Sequence, residues 1–120
     1  MAGKNKGRNL FSSDEKKDLL KYVEKLVDKG NLEFAGEICA VTGEKEKALE
    51  YAKELGKRGY FPIAGHICAM VGAKEKALEY AKELGFRGNF QAAGEICALV
   101  GAKEEAAGYV KKAINIMKGD

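Results

Sequence analysis

Apolar residues recur along the chain at helical spacing. Within residues 30 to 58, Ala35, Ile38 and Cys39 fall at i, i+3 and i+4, and Ala48, Ala52 and Leu55 fall at i, i+4 and i+7. Both spacings gather residues on one face of an α-helix. Gly43 separates the two stretches, and Gly56 with Gly59 closes the second; the same positions return as Gly72, Gly85 and Gly88, with Gly101 after the last first-half stretch. Such glycines supply the left-handed residue that stops a helix at no steric cost. The pattern predicts helices of about eleven and about thirteen residues, joined by turns of about one to three residues and therefore packed antiparallel.

The pattern is written more than once. Residues 30–58 ("GNLEFAGEICAVTGEKEKALEYAKELGKR") and 59–87 ("GYFPIAGHICAMVGAKEKALEYAKELGFR") are identical at about 20 of 29 positions, the fixed period of a repeat array. A third copy begins at Gly88 and loses its match after Tyr109, where "LGFRG" gives way to "AINIM" and the apolar positions run on through Ala113, Ile114, Ile116 and Met117. That change reads as a lengthened C-terminal cap. Upstream, residues 14–29 align with the second half of a copy, Tyr22 with Tyr51, Tyr80 and Tyr109, and Leu26 with Leu55 and Leu84. This segment opens on Ser12 and Glu15, the capping-box pair, with Phe11 placed to staple the first turn. Pro62 falls in the first turn of its helix, where a missing N–H costs nothing.

The expected organisation is a flexible basic arm over 1–10, carrying Lys4, Lys6 and Arg8, followed by one helical-repeat domain over 11–120. Within that domain lie a capping helix at 14–29 and repeats at 30–58, 59–87 and 88–118. The expected fold is all-α, with seven helices stacked as about three and a half hairpins in a short right-handed α-α superhelix.

The alternation of "GNFQAAGEIC" with "EKALEYAKE" resembles the helical-hairpin repeats of the tetratricopeptide group and the related clathrin and coat-protein solenoids, from about residue 14 onward. The period here is shorter than the 34 residues of the tetratricopeptide consensus. What the resemblance implies is a scaffold that binds a protein or peptide, with the first helix of each hairpin lining a concave face. On that face Glu33, Glu37, His66, Gln91 and Glu95 form a mildly acidic strip suited to a basic or amphipathic peptide. Architecture of this kind leaves the partner open.

Composition narrows the field. At 120 residues and 46% apolar the chain can bury one core, and 32% charged residues at a net +3 create no global field that would force a nucleic-acid or membrane partner. No apolar run reaches the length of a membrane span and the N-terminus lacks a signal-peptide pattern, so the expectation is a soluble, cytoplasmic protein. Lys and Glu dominate the polar positions, with a single Gln and no Trp, a bias shared with proteins from very hot environments.

The chemistry-bearing residues resolve against the repeat. Cys39, Cys68 and Cys97 occupy one position in successive helices, which pack about 8–10 Å apart, too far for one zinc to hold three sulfurs at about 2.3 Å. They are expected as core residues, with no metal and no cofactor. His66, the only histidine, stands where the sister copies have Glu37 and Glu95; an unpaired glutamate is not a core residue, so this position is expected on the surface. No nucleophile or second base lies one helical turn from it, and no phosphate loop or paired catalytic acid occurs. The chain is therefore expected not to be an enzyme.

Two alternatives stay open. The turns "LGKRGYFP" and "LGFRGNF" set Lys57, Arg58 and Tyr60, then Phe86 and Arg87, along one rim, a mixture of cations and rings that can hold RNA or single-stranded DNA. Against it, the arginines can simply cap helix C-termini. The exposed ends of the array can also drive homo-oligomer formation.

Overall fold

A computed structural model describes residues 10 to 119, so Lys4, Lys6 and Arg8 of the basic arm lie outside the described residues. Seven helices and no strand are found among them: α1 Ser13–Asp28, α2 Leu32–Val41, α3 Lys45–Lys57, α4 Phe61–Met70, α5 Lys74–Phe86, α6 Phe90–Leu99 and α7 Lys103–Gly119. None is long and apolar enough to cross a membrane.

All six turns have the same construction. Each is three residues long with a central glycine at positive φ, namely Gly30, Gly43, Gly59, Gly72, Gly88 and Gly101. In the turn after α3, the Gly59 N–H donates to the Gly56 carbonyl at 3.0 Å and the Tyr60 N–H to the Leu55 carbonyl at 2.9 Å. This is the Schellman pair of bonds, which satisfies carbonyls that the helix end leaves without partners. The residue after the glycine is at once the N-cap of the next helix; Asn31 and Asn89 add a side-chain bond to the N–H of Phe34 and of Ala92. At the start of the chain the capping box forms as its spacing predicts, with the Glu15 N–H on Ser12 Oγ at 3.1 Å and the Ser12 N–H on Glu15 Oε1 at 2.8 Å.

Each helix packs on its chain neighbours, and α2, α4 and α6 also pack in succession on one another. The Cα envelope measures 53 × 40 × 21 Å, and the shortest dimension equals about two helix diameters. One layer holds the short helices and the other the long ones. Between them lie the alanines Ala35, Ala48, Ala52, Ala64, Ala77, Ala81 and Ala93, together with all three cysteines, none more than 1% exposed. Burial lifts the thiol pKa of Cys39 and Cys68 from 9.0 to about 11, and raises that of Cys97 as well. These thiols sit in the core as protonated, packed groups.

Glycine governs how closely successive short helices approach. A Cβ added at Gly36 would lie 2.7 Å from Ile67 Cδ1, and one at Gly65 would lie 2.5 Å from Ile96 Cδ1. α2 and α4 thus each offer a glycine seat to the isoleucine of the next short helix. Full burial of such a side chain stabilises by about 1.5–3 kcal/mol.

Gly56 and Gly85 correct the expectation drawn from spacing. Neither has positive φ, so neither acts as the left-handed cap; that role belongs to Gly59 and Gly88 alone. Gly56 lies inside α3, and an added Cβ there would meet the Tyr80 ring, with Cε1 at 2.6 Å; Gly85 in α5 receives Tyr109 in the same way. Of the four aligned tyrosines, Tyr80 and Tyr109 are therefore laid across glycine floors between successive long helices. Burial raises the phenol pKa of Tyr51, Tyr80 and Tyr109, whereas Tyr22, at the end of the stack, is exposed and meets Phe34 edge-on at 6.3 Å.

Candidate functional site

The short helices carry a face of shallow hollows. The first, about 310 Å³, is lined by Phe11, Leu19, Phe34, Ile38, Val41 and Met70, with Glu37 and His66 at its edge. A second, about 420 Å³, lies between α4 and α6, bounded by Pro62, His66, Ala92, Glu95, Ile96 and Leu99. His66 borders both. A third, about 750 Å³, follows between α6 and α7, with Gln91 and Glu95 on one wall and Val110, Ile114 and Met117 on the other. Glu95 borders the second and third, so the three hollows form one continuous track.

Four of the five residues expected on an acidic strip therefore share this track: Glu37, His66, Gln91 and Glu95. His66, Gln91 and Glu95 are exposed and Glu37 is half-buried. Gln91 Nε2 donates to Glu95 Oε2 at 3.4 Å, one turn along α6. Glu33 does not join them. It lines a separate hollow at the turn end, with Leu55, Arg58, Tyr60 and Ile63.

The character of the track also differs from a plain acidic strip. Its floor is apolar, because Phe34, Val41 and Met70 line the first hollow and Ala92 and Leu99 the second, whereas Ile63, the counterpart of Phe34, lines the separate hollow with Glu33. Phe34, Val41, Met70 and Leu99 are large and exposed. The signal that could have found them is the seven-residue spacing of Phe34 and Val41 and the return of position 41 at intervals of 29 as Met70 and Leu99. Glu95 stands between the second and third hollows, and Glu37 lines the first.

At the turns after α3 and α5, Lys57, Arg58, Tyr60, Phe86 and Arg87 are all exposed, but both arginines have partners within the chain. Arg58 Nε donates to Glu54 Oε2 at 3.2 Å and Arg87 Nε to Glu83 Oε2 at 3.0 Å, both one turn back on the same helix. The Arg87 guanidinium also lies 4.7 Å above the Phe61 ring, a cation–π contact. Phe61 in turn packs on Tyr80 at 6.2 Å and Phe90 on Tyr109 at 6.3 Å. Lys57 and Phe86 share one repeat position and face solvent. Over the long helices, a further hollow of about 340 Å³ is walled by Glu46, Glu50, Lys47, Lys53 and Lys76, charges of both signs that suit a hydrated surface.

No protein-family model, curated protein or solved structure matches the chain. The track itself must carry the functional reading. It offers apolar cups, two flanking carboxylates and one imidazole, and among the described residues no three His, Cys, Asp or Glu side chains gather to hold a metal ion.

Proposed function

We propose that this protein is a small scaffold of tetratricopeptide-like hairpins, stacked as a short right-handed α-α superhelix, that binds an amphipathic, basic peptide segment along its short helices. The stacking reading is supported by the succession of contacts α2 to α4 to α6 and by the identical glycine turns. One observation carries the binding reading: the continuous track of apolar hollows edged by Glu37, His66 and Glu95. Hollows of about 300–400 Å³ take apolar anchors, and polar groups at their edges fix orientation.

The test uses a fluorescein-labelled synthetic helix with leucines on one face and lysines on the other, read by anisotropy. Binding is expected for this peptide and not for its scrambled sequence. Met70→Glu and Val41→Glu should abolish it, since each places a charge in the first hollow without disturbing a buried residue. Glu37→Gln should weaken it. Equal binding by the scrambled peptide, or by the two glutamate variants, would sink the proposal.

A nucleic-acid reading of the Lys57, Arg58, Tyr60, Phe86 and Arg87 rim is the weaker one, because both arginines are engaged by glutamates of their own helices. Retention on single-stranded DNA that fades steeply with salt and disappears on combining Arg58→Ala with Arg87→Ala would reverse that preference.

A further inference from the structure

The middle repeat departs from its sisters in charge at one position of the track. The first and third repeats carry Glu37 and Glu95 there, and the second carries His66, the only histidine. Glu37 lines the first hollow, and Glu95 lines the second and third. His66 lines both the first and the second, and no other side chain does so among the described residues. It is the junction between two apolar hollows.

The charged groups around this junction are few. On its own helix Pro62, Ile63, Ala69 and Met70 lie one turn away from His66, and none is charged. From the helices packed against α4, the two hollows receive Glu37 of α2 and Glu95 of α6, while α3 and α5 supply none of the lining. The end of the stack adds the apolar Phe11 and Leu19. The ion pairs among the described residues, Arg58 with Glu54 and Arg87 with Glu83, involve neither carboxylate.

A neutral imidazole and a protonated one meet a cationic ligand differently. The neutral ring keeps one nitrogen as an acceptor, which can take a hydrogen bond from a lysine ammonium; the protonated ring has two donors and a positive charge. With the ring neutral, the three groups carry the two negative charges of Glu37 and Glu95. Protonation cancels one of those charges and sets a cation midway between the first two hollows. Imidazole changes charge between about pH 5 and 8, a range in which glutamate at the sister positions stays ionised.

We infer that His66 makes binding of a basic peptide pH-dependent: the neutral ring receives a ligand lysine between the first two hollows, and the protonated ring repels it. The inference rests on the peptide-binding reading of the track. It also places the ligand's cation, which belongs between two apolar anchors rather than beyond them. Affinity is highest at neutral to mildly alkaline pH and falls on acidification.

The leucine–lysine peptide, titrated onto the full chain by anisotropy at constant ionic strength from about pH 8 to about pH 5.5, tests this. The dissociation constant should rise about 1.5- to fivefold toward the acid end, the effect of one exposed charge contact. His66→Gln should remove the slope, and His66→Glu should bind more tightly than wild type at the acid end. A peptide with glutamines in place of its lysines should show no slope. Circular dichroism melts of each variant in the same buffers separate loss of ligand from loss of fold. No binding at pH 8 overturns the reading of the track and this inference with it. Binding at pH 8 with equal affinity at pH 5.5, a slope that persists in His66→Gln, or an equal slope for the glutamine peptide overturns the role of His66 and leaves the track standing.

Discussion

Replacing Gly65 with alanine sets two known effects against each other. Alanine favours a helix interior over glycine by about 0.8–1.0 kcal/mol. At Gly65 the new methyl would stand 2.5 Å from Ile96 Cδ1 and 3.2 Å from Tyr80 Cβ. Ile96 is buried at 3% exposure and cannot swing into solvent, and Tyr80 Cβ is fixed to its backbone. Overpacking of this kind costs about 1–3 kcal/mol, so Gly65→Ala should destabilise by up to about 2 kcal/mol. Gly108, inside α7, has nothing within 4 Å of its added Cβ. There the same substitution should stabilise by about 0.8–1.0 kcal/mol. Gly94→Ala, with its nearest atom at 3.4 Å, should also stabilise, while Gly36→Ala, with Ile67 Cδ1 at 2.7 Å and its next neighbours at 3.6 Å, should fall between. Urea midpoints and thermal midpoints by circular dichroism read the series, at about 4 °C per kcal/mol. Shortening the neighbour tests the cause: the Gly65→Ala and Ile96→Val pair should be less destabilised than the sum of its members. Equal gains at Gly65 and Gly108 would refute the glycine-seat account.

Stability should fall as pH rises from about 9 towards about 11, because Cys39 and Cys68 hold their protons in the fold beyond the unfolded value of 9.0. In that window the native state binds more protons than the unfolded chain; the slope should be visible in urea midpoints and become shallower in Cys68→Ala. The same burial predicts that native thiols react with a disulfide reagent far more slowly than the thiols of urea-unfolded chain, a stopped-flow comparison. Arg87→Ala should cost more than Arg58→Ala, both within about 1 kcal/mol, since only Arg87 has a ring beneath it: Leu32 stands in the first repeat where Phe61 stands in the second. Ser12→Ala should cost about 0.5–2 kcal/mol and loosen α1 first, seen as faster amide exchange over its opening turn.

Helix number and turn positions were legible because glycine does the punctuating. Gly30, Gly43, Gly59, Gly72, Gly88 and Gly101 are required by backbone conformation, which is a local property written locally. The capping box was legible for the same reason. Gly56 and Gly85 misled because their cause is a tyrosine 24 positions further on, and a glycine near a helix end looks like a stop whether it is one or not. Of the candidate surface, the polar residues Glu37, His66 and Glu95 were found by where the repeats differ in charge. The floor was missed, since Val41, Met70 and Leu99 look like ordinary core residues until packing shows that nothing covers them. Glu33 was grouped with the others by sharing a helix with Glu37, but the four-residue step carries it to the turn end beside Tyr60.

The three-residue turns and the neighbour-to-neighbour contacts also set how the molecule meets mechanical load. Tension applied at its two ends passes through the hairpins in series, with no principal contact between first and last helices to share it. Yielding is then stepwise from an end. Each 29-residue unit releases about 100 Å of extended chain, roughly twice the 53 Å longest dimension of the fold, so loss of a single hairpin lengthens the molecule more than the whole fold spans.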